Sequence, residues 1–274
     1  MKPYPAAGPR PFERTAQVCA VLLAFAGCQV SVPEDKQIEP AQGNPPAPAA
    51  PVNPPGVPAP PVNPPAPQAL QLSGVEALKR YLESTPLNTP AGPYEIALGG
   101  VNLEDNFNGM LEALNRYVAL DLRGCTGSKI SPPTYALNNA MAANKEKIVS
   151  IILPDTVKTL EDGLSEFTGV FAKCTSLVSV TLPEVTTLGA YAFHGCKALK
   201  TIALPKVSRI GSKAFQAGSK DAVFILGSAA PPTITSDSFT ASKIAQVWVP
   251  ANSAADYKTA EHWTKLKTKI TSAF

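Results

Sequence analysis

Through the second half of the chain, apolar positions return in a fixed order. Leu177, Val180 and Leu182 are followed 22 residues later by Leu199, Ile202 and Leu204, and each set is closed by a proline, Pro183 or Pro205. The last two apolar positions of each set lie two apart, the spacing of one face of a short strand. Proline cannot donate to a ladder, so it predicts where each strand ends. A second matched segment follows: Thr187-Leu-Gly-Ala-Tyr-Ala-Phe193 against Arg209-Ile-Gly-Ser-Lys-Ala-Phe215. Its shared glycines, Gly189 and Gly211, suit a turn with positive φ, and its phenylalanines fit the layer between adjacent coils. A unit recurring at this period predicts a solenoid, in which each copy packs on its neighbours.

The pattern continues in both directions. Phe224 and Leu226 lie 22 residues beyond Ile202 and Leu204, and Val247, Val249 and Pro250 continue it 23 residues further on. Upstream, Ile148, Ile151, Leu153 and Pro154 repeat the strand, with an interval of 29 residues to Pro183 that holds an insertion around Asp162-Gly-Leu-Ser-Glu-Phe167. Tyr117-Val-Ala-Leu-Asp-Leu122 has the same alternation, and Tyr94-Glu-Ile-Ala-Leu98 is a weaker strand. These make six coils and, with the last, a seventh. Helical spacing flanks them. Ser73-Gly-Val-Glu76 has the form of a capping box before residues 77–82. Residues 107–116 and 134–144 carry apolar residues at helical intervals. Residues 253–270 predict a terminal helix with Tyr257, Ala260, Trp263, Leu266 and Ile270 on one stripe. The helices at 73–84 and 253–270 are the expected covers for the two ends of the stack.

The segment Leu188-Gly-Ala-Tyr-Ala-Phe-His-Gly-Cys-Lys-Ala-Leu-Lys-Thr-Ile-Ala-Leu-Pro205 resembles the BspA-like leucine-rich repeats of bacterial surface proteins. Val247-Trp-Val-Pro-Ala-Asn-Ser-Ala-Ala-Asp-Tyr257 is similar to the closing segment of that family, and Tyr117-Val-Ala-Leu-Asp-Leu-Arg-Gly-Cys-Thr-Gly127 to an amino-terminal segment of its treponemal members. The resemblance spans roughly residues 75–274 and is most specific over 168–226. It implies an α+β leucine-rich-repeat solenoid over residues 69–274, a parallel strand ladder of about six to seven coils with capping helices. It also implies a cell-surface adhesin or antigen that binds host matrix proteins or other bacteria.

The front of the chain reads differently. In residues 1–28, Lys2, Arg10 and Arg14 precede a short apolar core ending in Phe25-Ala-Gly-Cys28. This predicts an export signal, too short to span a bilayer. Small residues before Cys28 resemble the bacterial lipobox, although Phe25 replaces the usual leucine; the resemblance implies acylation of Cys28 and a lipid-anchored protein of the cell surface or outer membrane. Residues 29–68 are proline-rich, with Ala-Pro-Val-Asn-Pro-Pro55 echoed by Pro-Pro-Val-Asn-Pro-Pro65. Such a segment buries too little apolar surface to fold and predicts a disordered linker rich in polyproline II.

Charge and chemistry narrow the function. The formal net charge is +3, charged residues are 16% of the chain, and no basic block points to nucleic acid. Behind the signal remain Cys125, Cys174 and Cys196, an odd count that argues against a full disulfide framework. Cys174 and Cys196 hold equivalent repeat positions, which stacking would place about 5 Å apart, within disulfide range. The family resemblance instead reads such cysteines as small core residues. His194 stands where the next copy has Gln216 and predicts a solvated loop residue, and His262 falls on the polar side of the terminal helix. The acidic pairs Glu104-Asp105 and Glu161-Asp162 have the residue types for calcium or glycosidase chemistry but suit exposed turns equally. No Cys-x-x-Cys, His-Glu-x-x-His or phosphate loop occurs, so neither a catalytic residue nor a metal or cofactor is predicted.

Binding is the better-supported reading. Between the inward apolar positions, outward ones form a ladder: Ala119/Asp121, Ser150/Ile152, Ser179/Thr181, Thr201/Ala203, Val223/Ile225 and Gln246/Trp248. Thr181 and Thr201 lie in its small polar middle. Val223, Ile225 and Trp248 form an apolar end that reads either as a partner-binding anchor or as a seat for the terminal helix. The function expected is non-catalytic adhesion through the repeat sheet. The alternatives are a structural antigen without a specific ligand and, last, a hydrolase.

Overall fold

Alternation of inward apolar and outward small residues becomes a parallel ladder. The structure, a computed structural model, describes residues 69–133, 144–240 and 242–272. Residues 1–68, with the predicted signal, Cys28 and proline-rich linker, lie outside the described residues, as does the helix predicted over 134–144 apart from Asn144. Nine described strands form one sheet: β1 (Leu70–Ser73), β2 (Tyr94–Asn102), β3 (Val118–Thr126), β5 (Ile148–Ile152), β7 (Ser179–Thr181), β9 (Thr201–Leu204), β11 (Ala222–Leu226), β13 (Ile244–Val249) and β14 (Ile270–Ser272), adjacent in that order. All neighbours are parallel. The seven predicted strands are all present. The two outermost, β1 and β14, are additions that the repeat pattern did not contain.

A second, narrower sheet lies across the core. It is made of two-residue strands, β4 (Lys129–Ile130), β6 (Thr159–Leu160), β8 (Thr187–Leu188), β10 (Arg209–Ile210) and β12 (Thr233–Ile234), stacked in that sequence. Ile130, Leu160, Leu188 and Ile210 point inward and are buried. Each coil thus runs from a strand of the wide sheet, past the proline, through a strand of the narrow one, and back along a row of turns. Phe171, Phe193, Phe215 and Phe239 stack along that returning row, with ring centroids 5.3, 5.4 and 5.5 Å apart and interplanar angles of 16°, 3° and 4°. Burying one such ring stabilises the fold by about 1.5–3 kcal/mol relative to leaving it in water.

Gly189 and Gly211 are not positive-φ residues; the left-handed positions are Tyr191 at φ 59° and Lys213 at φ 56°, two residues later in each coil. The glycines answer to space instead. A Cβ on Gly211 would come within 2.6 Å of Ala190 N, and one on Gly189 would overlap Glu161 O. The backbone of one coil rests directly on the backbone of the previous one, and only hydrogen fits between.

The ends depart from the predicted helices in detail. Helix α1 (Val75–Ser84) begins at Gly74, φ 84°, without a side-chain cap. The capping box does not form because Ser73 is the last residue of β1, in register with Gly99. Helix α2 (Leu103–Ala113) starts earlier than predicted, where the Asn102 side chain accepts from Glu104 N at 3.0 Å. The predicted terminal helix is three pieces: α3 (Ala254–Thr259), a 3-10 turn Trp263–Leu266, and β14. The break falls between Ala260, ψ 149°, and His262, φ 63°. The apolar stripe nevertheless faces the core. Tyr257, Trp263 and Ile270 are buried, with Ala260 and Leu266 packed beside them. A buried Tyr or Trp needs a partner for its polar tip. Tyr257 Oη donates to Ser228 O at 2.7 Å and Trp263 Nε1 to Pro232 O at 2.8 Å. Among the described residues no helix is long and apolar enough to cross a membrane.

Cys125, Cys174 and Cys196 are free thiols inside the core. Burial pushes the Cys125 thiol up to about 11 and the Cys196 thiol upward as well. Their S–H groups reach backbone carbonyls, Leu98 O at 3.2 Å and Phe171 O at 3.1 Å. His194 is the main correction. The expected solvated residue is only 5% exposed, because it lies beneath side chains of the 162–168 insertion and of the next coil.

Candidate recognition surface

The outward face of the wide sheet is built by register. One row runs Glu95, Ala119, Ser150, Ser179, Thr201, Val223, Gln246. A second runs Gln71, Ala97, Asp121, Ile152, Thr181, Ala203, Ile225, Trp248, Thr271. The side-chain period of two in a strand, carried across strands in register, puts both rows on one face. Thr181, Thr201, Val223, Ile225 and Trp248 therefore share this face over four consecutive strands, Thr201 beside Val223 and Ile225 beside Trp248.

Exposure separates them. Thr181 is exposed, while Thr201, Val223 and Trp248 are half-buried. Ile225 is fully buried, so it offers a partner no surface. It lies between in-register Ala203 and Trp248, one strand spacing from each. The terminal segment sends its large side chains the other way: the Trp263 ring packs against Phe239 and Tyr257 inside the core. Sequence reasoning missed that the face extends to Gln71 at one end and Thr271 at the other. The Gln246 Nε2 to Thr271 Oγ1 bond, 3.2 Å, ties the last strand into it. The signal for Thr271 was present in Ile270-Thr-Ser272, whose alternation was absorbed into the helical stripe.

Charge on the face is sparse. Asp121 is held by Arg123 through a bidentate contact, Nη2 to Oδ2 at 2.5 Å, and the guanidinium beside it keeps its carboxyl below the ordinary range. Glu95, in the first row, is exposed, and several acidic side chains off the face staple coils together. Glu104 accepts from Ser128 N and Oγ, at 2.6 and 2.7 Å. Glu161 accepts from Lys129 Nζ at 2.8 Å and Ser131 Oγ at 2.7 Å. Asp162 Oδ1 accepts from Ala190 N at 2.7 Å, and Glu184 bridges Lys158 and Lys206. Each of these four carboxylates is thus spent on the scaffold. Among the described residues no group of three or more His, Cys, Asp or Glu side chains is placed to hold a metal ion.

Residues 136–260 match the BspA type leucine rich repeat region, in six copies. Residues 136–260 carry BspA-type leucine-rich repeats. Two stacked parallel sheets with few helices are the architecture that such repeats build. Proteins with BspA-type repeats are often surface-associated, and leucine-rich repeats are typically non-catalytic protein-interaction scaffolds. No curated protein matches the sequence.

Proposed function

We propose that this chain is an adhesin-like surface protein that engages extracellular-matrix proteins or surface proteins of partner cells through the outward face of its wide sheet. The observation that carries the reading is the in-register, nearly uncharged face of small and hydroxyl side chains ending in half-buried Val223 and Trp248. A flat face with an aromatic anchor at one end has the anatomy of a protein interface, where Trp concentrates binding energy. The front of the chain supports export: an apolar core before Phe25-Ala-Gly-Cys28, then a proline-rich spacer. In this reading Cys28 is acylated, and the spacer holds the solenoid away from an outer membrane.

The test is binding of the full chain to immobilised matrix proteins and to whole partner cells, with two substitutions on the face. Trp248→Ala and Thr201→Arg weaken binding tenfold or more while the circular dichroism and melting temperature hold. Unchanged binding in both variants sinks the proposal. Absence of binding by the unmodified chain would favour a structural antigen.

A further inference from the structure

The insertion of residues 162–168 leaves the solenoid and returns to the same point. A Cβ on Gly163 would lie 2.6 Å from Gly169 N, so the neck is closed backbone to backbone. Inside the excursion, Thr168 Oγ1 accepts from Leu164 N at 2.8 Å and Ser165 N at 2.7 Å. It is therefore an ordered protrusion, and it presents the most exposed large apolar side chain of the described residues, Leu164 at 91%, beside Phe167 at 45%. Lys173 holds it down: its Nζ donates to Glu166 Oε2 at 3.1 Å and sits 4.8 Å over the Phe167 ring.

Under this contact lies His194. Its Nε2 is 3.9 Å from Glu166 Oε2, and its Nδ1 is buried with no hydrogen-bond partner. Tyr191 packs on the imidazole at 5.7 Å. The groups that face it are Glu166 and Lys173 from the insertion side, and Lys213 and Gln216 from the following coil. Lys213 is itself held by Tyr191 Oη at 3.2 Å. The backbone of His194 is part of the same arrangement, since Lys173 N donates to His194 O at 2.7 Å.

We propose that His194 is a proton-operated latch for this insertion: neutral, it fills the space beneath Glu166 and Lys173; protonated, it releases them. The imidazolium carries an N–H on both ring nitrogens, and the one on Nδ1 is buried without an acceptor, which is costly. It also adds a positive charge beside Lys173 and Lys213, which the attraction of Glu166 at 3.9 Å offsets only in part, and it competes with Lys173 for that carboxylate. The imidazolium is relieved only by moving toward water, which strains the Lys173–His194 backbone link and frees the Leu164–Phe167 protrusion. Burial, with Lys173 next, holds His194 below the ordinary histidine value of 6.5. The folded chain therefore binds this proton less well than the unfolded chain does. The latch is at full strength above about pH 6.5 and is lost as pH falls from there toward the lower folded value. Acid opening would re-aim a protrusion whose Leu164 is already exposed, a contact surface separate from the sheet face.

Hydrogen exchange of the full chain between pH 7.5 and 5.0, corrected for the chemical pH dependence of exchange, reads the latch directly. Protection of residues 163–173 falls as pH drops below 6.5, by at most about tenfold per pH unit, the limit for one proton. His194→Gln carries the side chain found at position 216 in the next coil, and it removes that dependence. Flat protection in the unmodified chain, or an equal pH dependence in His194→Gln, overturns the proposal. Should that variant fold poorly, proton NMR of the unmodified chain decides: a His194 imidazole titrating at or above 6.5 is equally fatal.

Discussion

Phe193 lies between two nearly parallel rings, Phe171 and Phe215, and is fully buried. Removing it leaves a cavity that the neighbouring coils, bound to each other by backbone contacts, cannot collapse into. Phe193→Ala should cost about 3–5 kcal/mol, measured by urea unfolding, and an effect below about 1 kcal/mol would mean that the ring stack is not structural. The phenylalanines were legible because a side chain that recurs every 22 residues in a stack must meet its own copies. Gly189 and Gly211 were legible as positions but not as causes: a sequence shows a recurring period, not which of two glycine virtues, freedom or smallness, a backbone uses. His194 was hidden for the opposite reason. Its repeat-mate Gln216 is half-buried, and the insertion, which has no counterpart in the next coil, puts Glu166 over the histidine, beside Lys173 of the preceding coil.

At the scale of the element, coils are joined by backbone ladders and by charge staples. Glu184 accepts from Lys206 and Lys158, and these two hold its carboxyl below the ordinary value of 4.5. Its contribution is thus present above that value and lost as pH falls through the lower folded one. Glu184→Gln should flatten the stability curve between about pH 5 and pH 3, by a small margin that shrinks further in 1 M salt, since exposed pairs are weak and screened. Thermal melts across that range check it. The terminal segment separates the two tryptophans. Trp263 is 1% exposed and donates to Pro232 O, so Trp263→Ala should cost about 3–5 kcal/mol. Trp248 stands on the outer face, and Trp248→Ala should cost less than half as much in the same urea titration. Comparable costs would place Trp248 in the core. The stripe Tyr257, Ala260, Trp263, Leu266, Ile270 predicts one face of a single helix; its residues do share one side, which faces the core, but in three pieces. Periodicity reports which side faces the core; the break at residues 260–262, where the chain leaves the helix to place two polar ring atoms on carbonyls, leaves no mark in it.

For the whole molecule, the 22-residue period was enough to place seven strands and the outward ladder in register, because in a solenoid each copy fixes the next. The narrow sheet escaped notice since two residues, Thr187-Leu188 or Arg209-Ile210, are too short for alternation to show. Strands β1 and β14 escaped because end coils have no outer neighbour to repeat. In the proposed reading, specificity lies in what varies between copies: the outward rows of the wide sheet and the protruding insertion of residues 162–168. Hydroxyl-radical footprinting of the full chain, alone and bound to a matrix protein retained in the binding screen, tests the central claim most directly. Protection confined to the outward side chains of β7, β9, β11 and β13, Thr181 and Trp248 among them, is the predicted result. Protection on the narrow sheet at Thr159, Thr187 and Arg209, with the wide face unchanged, would contradict it.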